Sequence, residues 1–222
     1  MATVHDVAAA VLRTLGTMTA MKLEKLVYYC QGWHLARHGV PLFDEPIEAW
    51  RQGPVVPALY RQHRQQYTVS DWPVGDPSRL TQPQVSTIEW VATEYGAFTA
   101  IELSRMTHSE LPWRAARGSL PESAPSSVRL SGEMTKAYYS RQLADTETAV
   151  ALATANAALE GVEFDDGWQD RLRDVASGVM TADELVAEEI ARIKGVPHHM
   201  PGASRRIDCS RLGRVCGRIG CG

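Results

Sequence analysis

The 222-residue sequence lacks any long hydrophobic run. Its longest weakly polar stretch, residues 148–159, is mostly alanine and falls short of the roughly 18 apolar residues that a membrane-spanning helix needs. The first residues also lack the basic segment and the apolar segment of a secretory signal. We therefore expect a cytoplasmic protein that does not enter a membrane.

The signatures of common enzyme classes are also missing. The sequence contains no Gly-x-Gly-x-x-Gly, no Walker loop, no Gly-x-Ser-x-Gly elbow and no His-Glu-x-x-His. The run His108-Ser109-Glu110 places a base, a hydroxyl and a carboxylate side by side, but sequence neighbours seldom converge as the members of a catalytic triad do. Hydrogen bonds that cap a loop explain the run more simply. We expect a protein that is not an enzyme and needs no cofactor.

Cysteine is scarce and poorly placed for disulfides. Three of the four cysteines fall in the last fourteen residues, and Cys30 lies far away in a helical pattern. A disulfide framework is not expected in a reducing cytosol. Cys30, His34 and His38 share one helix face, a spacing that could present ligands to zinc. A buried thiol and a hydrogen-bonded core histidine are the simpler interpretation, so we predict no metal site.

Charge is unevenly distributed behind a net value of −3. Residues 1–141 carry 14 Lys and Arg against 13 Asp and Glu, a net of +1; residues 142–195 carry 4 against 12, a net of −8. Residues 196–222 carry 5 against 1, a net of +4, and show neither helical nor strand periodicity. We predict an unstructured basic tail there, without an assigned function. Nucleic-acid binding requires a basic face, which the rest of the chain does not offer.

Apolar residues recur at spacings of three and four, which predicts a mainly α fold. Thr3 and Asp6 fit a capping box that opens a first helix, and Gly16 ends it. A second helix is expected over residues 19–38, and the prolines and glycine of residues 41–57 favour a small β-hairpin. Further helices are expected over residues 55–67, 84–95, 99–107, 133–158, 170–179 and 181–195, and irregular structure over residues 67–83 and 111–125.

The second helix carries three aromatic residues, Tyr28, Tyr29 and Trp33. Aromatic residues dominate the energetic centres of protein interfaces, so these rings are candidates for binding a protein partner. The same rings would also suit a hydrophobic core, and both interpretations are open at this point. The short helices over residues 4–38 imitate a helix-turn-helix, but the second helix brings aromatic rings where a DNA groove would require a basic edge.

Several stretches resemble a known family. Residues 21–36 (MKLEKLVYYCQGWHLA), followed by residues 41–50 (PLFDEPIEAW) and 52–60 (QGPVVPALY), are similar to the opening of the Panacea domain, a SocA-like antitoxin domain. Residues 108–118 (HSELPWRAARG) resemble its second signature. The resemblance covers residues 1–142 and implies a mostly helical domain that neutralises a toxin by binding it. The family is attached to many unrelated toxins, so it does not name the target.

The following segment, residues 143–195, resembles the small VbhA-type antitoxins that silence Fic toxins. Their inhibitory helix carries Ser or Thr, then three residues, then Glu-Gly or Glu-Asn. Here Glu160-Gly161 fits, whereas Asn156 occupies the hydroxyl position. A plain helix C-terminus is the alternative interpretation of this short motif. The resemblance implies a small helical inhibitory module whose apolar contacts with the toxin are Trp168, Leu172, Ile190 and Ile193.

The implied mechanism is electrostatic. Fic enzymes transfer AMP from ATP to a hydroxyl, and an active-site arginine holds the γ-phosphate. A glutamate delivered on a helix can pair with that arginine bidentately and so displace the phosphate. The sequence therefore predicts an antitoxin that blocks a Fic toxin with Glu160. The alternatives are a Panacea antitoxin for another toxin class, an adaptor that delivers a toxin to a protease, and a DNA-binding autoregulator.

Overall fold

The computed structural model describes residues 2–121, 123–159, 167–177, 180 and 182–193. Helices make up most of these residues, which confirms the predicted mainly α fold. The helices are α1 (Val4–Leu15), α2 (Ala20–His38), α3 (Pro57–His63), α4 (Gln82–Tyr95), α5 (Ala100–Ser109), α6 (Leu111–Arg117), α7 (Gly132–Leu159), α8 (Trp168–Ser177) and α9 (Ala182–Ile193). The strands are β1 (Met18–Thr19), β2 (Glu48–Trp50), β3 (Gly53–Val55) and β4 (Thr68–Val69).

The first two helices begin at threonine caps, of which the sequence predicts the one at Thr3. The Thr3 hydroxyl accepts a hydrogen bond from the Asp6 amide, and the Asp6 carboxylate accepts one from the Thr3 amide at 2.9 Å. The Thr19 hydroxyl accepts from the Lys22 amide at 3.3 Å. Each cap satisfies backbone donors that have no partner inside the helix, so the sequence alone located both helix starts. Gly39, with a left-handed φ of 76°, ends α2.

The predicted hairpin is present, and a second strand pair accompanies it. Strands β2 and β3 pair antiparallel, with Trp50 opposite Gly53. Strands β1 and β4 also pair antiparallel, with Met18 opposite Val69. The prediction of irregular structure over residues 67–83 is therefore wrong at β4, and a short 3₁₀ turn follows at Pro77–Arg79. Strands of two residues carry no alternation that a sequence pattern could reveal.

The expectation of irregular structure over residues 111–125 is wrong for α6. This helix tolerates Pro112 because the proline lies in its first turn, where the backbone N–H has no intrahelical acceptor. Gly118, with a φ of 56°, ends the helix. The prolines therefore mark the start of a helix and the loop that follows it.

Helix α7 runs without interruption through residue 142 and Asp145. The boundary predicted between residues 142 and 143 therefore falls inside a helix. The chain divides into two compact units after Met180, so α7 and α8 belong to the first unit and α9 to the second. The tail predicted over residues 196–222 lies outside the described residues.

Helix α2 forms the centre of the first unit. It packs against α1, α4, α5 and α7, and every residue from Leu23 to Gly32 is buried. Burial on all sides brings the polar side chains of Glu24 and Lys25 into the interior with their apolar neighbours. Within the described part of the chain, no helix is long and apolar enough to cross a membrane.

Candidate functional site

The predicted interface residues Tyr28 and Tyr29 lie in the core of the first unit. Their side chains are 0% and 1% exposed, and the ring centroid of Tyr29 lies 4.1 Å from that of Tyr95 in a stacked arrangement. The structure therefore favours the core interpretation for both rings. They offer no surface to a partner and pack inside the hydrophobic core of the first unit.

Both tyrosines bind a buried carboxylate, that of Glu110. The hydroxyl of Tyr28 donates to Glu110 Oε2 at 2.8 Å, and that of Tyr29 donates to Oε1 at 2.9 Å. A third hydroxyl, from Tyr139 of α7, donates to Oε2 at 2.8 Å. Glu110 joins α5 to α6 and is 7% exposed. We call these four residues the tyrosine cage.

Burial governs the electrostatics of the tyrosine cage. Desolvation raises the pKa of Glu110, and the three tyrosine hydrogen bonds oppose that rise. Burial also raises the pKa of Tyr139, and the nearby Glu110 adds to the effect. Three hydroxyls that donate to one buried carboxyl group form a structural hydrogen-bond network. The tyrosine cage therefore fixes α7 on the core.

Close approach of α7 to α2 requires a glycine on α2. A Cβ atom placed on Gly32 would overlap the ring of Tyr139, which packs directly over the α2 backbone. Gly32 therefore makes room for the third hydroxyl of the tyrosine cage. The sequence pattern places Gly32 in the middle of a helix, where glycine is otherwise unfavourable.

Trp33, the third predicted interface residue, is half-buried. Its indole N–H donates to the Tyr95 hydroxyl at 3.0 Å, and its ring centroid lies 4.9 Å from that of Trp90. The guanidinium of Arg37 lies 4.0 Å from the centroid of Trp90, in a cation–π contact. Trp33 therefore belongs to an aromatic cluster that is open to solvent at its edge, so it stays a candidate for partner binding.

Cys30 and His34 have the surroundings of core residues, whereas His38 is exposed at the end of α2. Burial raises the pKa of the Cys30 thiol and lowers the pKa of His34 to about 4. The Thr87 hydroxyl donates to the Pro83 carbonyl, so it accepts the hydrogen bond from His34 Nδ1 at 3.1 Å. Over the residues that the structure describes, no group of three His, Cys, Asp or Glu side chains could hold a metal ion.

The run His108-Ser109-Glu110 has three separate sets of partners. His108 stacks on Trp113 with ring centroids 4.1 Å apart, and the Ser109 hydroxyl donates to the Met106 carbonyl at 2.7 Å. Glu110 accepts from the tyrosines. Ser109 and Glu110 make structural hydrogen bonds, whereas the contact of His108 with Trp113 is ring stacking.

The predicted C-terminal site residues are partly described. Asn156 belongs to α7, and the structure describes its backbone but not its side chain. The described residues also exclude Glu160, Gly161 and the side chain of Ile193. On α8, Trp168 and Leu172 are half-buried, and this helix packs against α7. On α9, Ile190 is 46% exposed.

An open groove of about 820 Å³ lies over the start of α2. Its floor includes Glu24, Lys25 and His63, all buried. The Glu24 carboxylate accepts hydrogen bonds from His63 Nε2 at 2.7 Å and from the Val56 amide at 2.9 Å. The Lys25 ammonium donates to the Pro54 carbonyl at 2.8 Å. Burial lowers the pKa of Lys25 to about 8.

Aromatic and apolar side chains form the wall and rim of this groove. The ring centroid of Tyr60 lies 4.8 Å from that of Trp50 and 5.4 Å from that of His63. At the rim, Tyr67 is 82% exposed and Ile101 is 60% exposed. A concave apolar surface with a few fixed polar groups at its base is typical of a binding site. We call this feature the α2 groove.

Sequence reasoning missed the α2 groove and the tyrosine cage. The groove combines residues from α2, the β2–β3 hairpin, α3 and the start of α5, which are distant in sequence. The sequence contains one signal of the groove, because Glu24 and Lys25 lie next to each other in a stretch, residues 23–30, whose other members are apolar or aromatic. Charged residues are almost never fully buried without a partner, so such a pair indicates a polar site within the core.

The α2 groove and the tyrosine cage both lie in the mainly helical first unit. Residues 23–114 match the family model described as antitoxin SocA-like, Panacea domain, and they include Lys25 and Glu110. The match covers less than half of the chain and confirms, for this segment, the resemblance predicted over residues 1–142. No curated protein and no solved structure matches the chain.

Proposed function

We propose that this protein is an antitoxin that neutralises a protein toxin by binding it. The observation that carries the proposal is the match of residues 23–114 to the SocA-like antitoxin domain. The exposed side chains of Tyr67 and Ile101 support it, because both border the same open groove. Binding and steric inhibition need no catalytic residues in this chain.

We further propose that the toxin is a Fic protein that transfers AMP. The motif Asn156 to Gly161 and the net charge of −8 over residues 142–195 support this identification. An acidic segment speeds encounter with a basic nucleotide cleft. The described part of α7 ends at Leu159, one residue before Glu160, so the helix leads directly to the proposed inhibitory carboxylate.

Co-purification with the product of the adjacent gene tests both levels of the proposal. The expected result is a stable complex whose second component contains the Fic signature His-Pro-Phe-x-x-Gly-Asn and is silent in an AMP-transfer assay. A stable, silent complex with a toxin of another class would support the antitoxin function and contradict the Fic target. An adjacent product that is toxic but does not bind this chain would contradict both.

A further inference from the structure

The proposed function leaves open how the first unit recognises its partner. We propose that the α2 groove binds an acidic segment of the toxin and receives an aromatic or aliphatic side chain of that segment beside Tyr67 and Ile101. This inference rests on the proposed function, because it identifies the surface that holds the toxin.

The positions of two exposed side chains, Tyr67 and Ile101, support this proposal. Single exposed hydrophobic residues are common and need no explanation. Tyr67 and Ile101 differ, because both border the same concavity of about 820 Å³, whose wall includes Trp50 and Tyr60. An apolar side chain entering this space would remove water from all of these surfaces at once, which is the arrangement of an interface hot spot.

The charged side chains that line the α2 groove also support the proposal. Three cationic side chains line the α2 groove, those of Lys22, Lys25 and Arg51, against the single carboxylate of Glu24. That carboxylate already accepts hydrogen bonds from His63 and from the Val56 amide. The Lys22 and Lys25 ammonium groups donate to the Gly96 and Pro54 carbonyls, which are neutral acceptors and leave both positive charges in place. The lining therefore has a positive excess, and an acidic segment complements it.

A strained backbone at Gln65 and a buried charge at Lys25 further support the proposal. Gln65, in the turn that leads to Tyr67, has a φ of 73°, a left-handed conformation that non-glycine residues seldom adopt. Lys25 is held fully buried in the floor. Both features are unfavourable for the isolated fold, and such features concentrate at binding sites.

Surface substitutions with matched controls test the inference. The probes are the full-length product of the adjacent gene and fluorescent synthetic peptides that tile its sequence. Tyr67→Ser, Ile101→Ser and Arg51→Glu alter the α2 groove. Val74→Ser and Arg61→Glu make the same kinds of change at exposed positions outside it. All five positions lie on the surface or at the rim, so the variants should fold, which circular dichroism verifies.

The inference predicts that an acidic peptide with an aromatic or aliphatic residue binds the wild-type chain. Each groove variant should weaken binding of that peptide and of the full-length toxin by about tenfold or more, and the two controls by less than about threefold.

Binding of the toxin at wild-type strength by all three groove variants would overturn the inference while leaving the antitoxin function in place. A toxin that does not bind the wild-type chain would overturn both. Groove variants that only dissociate a complex of two copies of this chain would assign the α2 groove to self-association and also overturn the inference.

Discussion

Tyr139 donates its hydroxyl to Glu110 across a distance of 2.8 Å, and this bond joins the longest described helix to the antitoxin-like segment. Tyr139 lies outside residues 23–114, whereas Glu110 lies within them. The tyrosine cage thus fixes the start of α7 on the domain core. The far end of the same helix contains Asn156, the first residue of the proposed inhibitory motif.

Removal of the Tyr139 hydroxyl should destabilise the first unit. Tyr139→Phe leaves the ring in place and removes one hydrogen bond to a buried carboxylate, so we expect a loss of about 2 kcal/mol in the free energy of unfolding. Urea denaturation monitored by tryptophan fluorescence measures this. Tyr67→Phe is the matched control, because its ring is 82% exposed, and it should change the stability by less than about 0.5 kcal/mol. Equal effects of the two substitutions would contradict the role of the tyrosine cage.

Glu110 should make stability depend on pH. Burial raises its pKa in the folded state above the ordinary value of 4.5. The folded state therefore retains a proton that the unfolded state has released, and this stabilising contribution is complete below pH 4.5 and lost as the pH rises through the folded-state pKa. Glu110→Gln cannot titrate. The difference in unfolding free energy between wild type and Glu110→Gln should shift with rising pH in favour of the variant, and a difference that is independent of pH would contradict the raised pKa.

Gly32→Ala should loosen the contact between α2 and α7. Alanine is the better helix former by up to about 1 kcal/mol, but its Cβ would overlap the buried ring of Tyr139. We expect a net loss of about 1–3 kcal/mol from overpacking. Gly132→Ala, at the start of α7 with open space around it, is the control and should be neutral or stabilising. Hydrogen exchange should show faster exchange in α7 only for Gly32→Ala, and unchanged exchange there would refute the close approach.

Lys25 should produce a rise in stability at alkaline pH. Burial lowers its pKa from 10.5 to about 8, so between these values the unfolded state binds a proton that the folded state has released. At about 1.4 kcal/mol for each pKa unit, the folded state gains roughly 3 kcal/mol across this interval relative to a variant that cannot titrate. Lys25→Met should lack this gain and Lys22→Met, at the half-buried start of α2, should keep it. Parallel stability profiles for wild type and Lys25→Met would contradict the burial of a titrating amine.

The sequence predicted the local structure well where caps and periodicity determine it. Thr3 and Gly16 mark the ends of α1 through backbone hydrogen bonds within a few residues, so local sequence is sufficient. The β1–β4 pair and the position of α6 were missed, because the first depends on contacts between distant segments and the second on Pro112 starting a helix.

The candidate sites were harder to predict for the same reason. The rings of Tyr28 and Tyr29 fit an interface or a core equally well until Glu110 is placed between them and Tyr139. A stripe pattern assigns one buried face to α2, whereas the fold surrounds this helix and buries Lys25 as well. Long-range packing, which no local pattern encodes, decided both cases.

Glu160→Gly should release the toxin from inhibition without separating the complex. Loss of one charge-assisted pair weakens binding by about 2–3 kcal/mol, which is too little to separate a large interface but enough to reopen a nucleotide site. We expect AMP transfer to return in the purified mutant complex, and Asn156→Ala to have a smaller effect. Glu163→Gly, an acidic neighbour outside the motif, is the control. A Glu160→Gly complex that forms and stays silent would contradict the proposed mechanism.

Growth rescue tests the antitoxin function most directly. The adjacent gene is induced in a host cell alone, with this chain, and with the Tyr139→Phe variant, and colony formation is counted. The account predicts that the adjacent product alone arrests growth and that wild-type co-expression restores it, with weaker rescue by the variant. Growth arrest that persists in the presence of well-expressed wild-type chain would contradict the account.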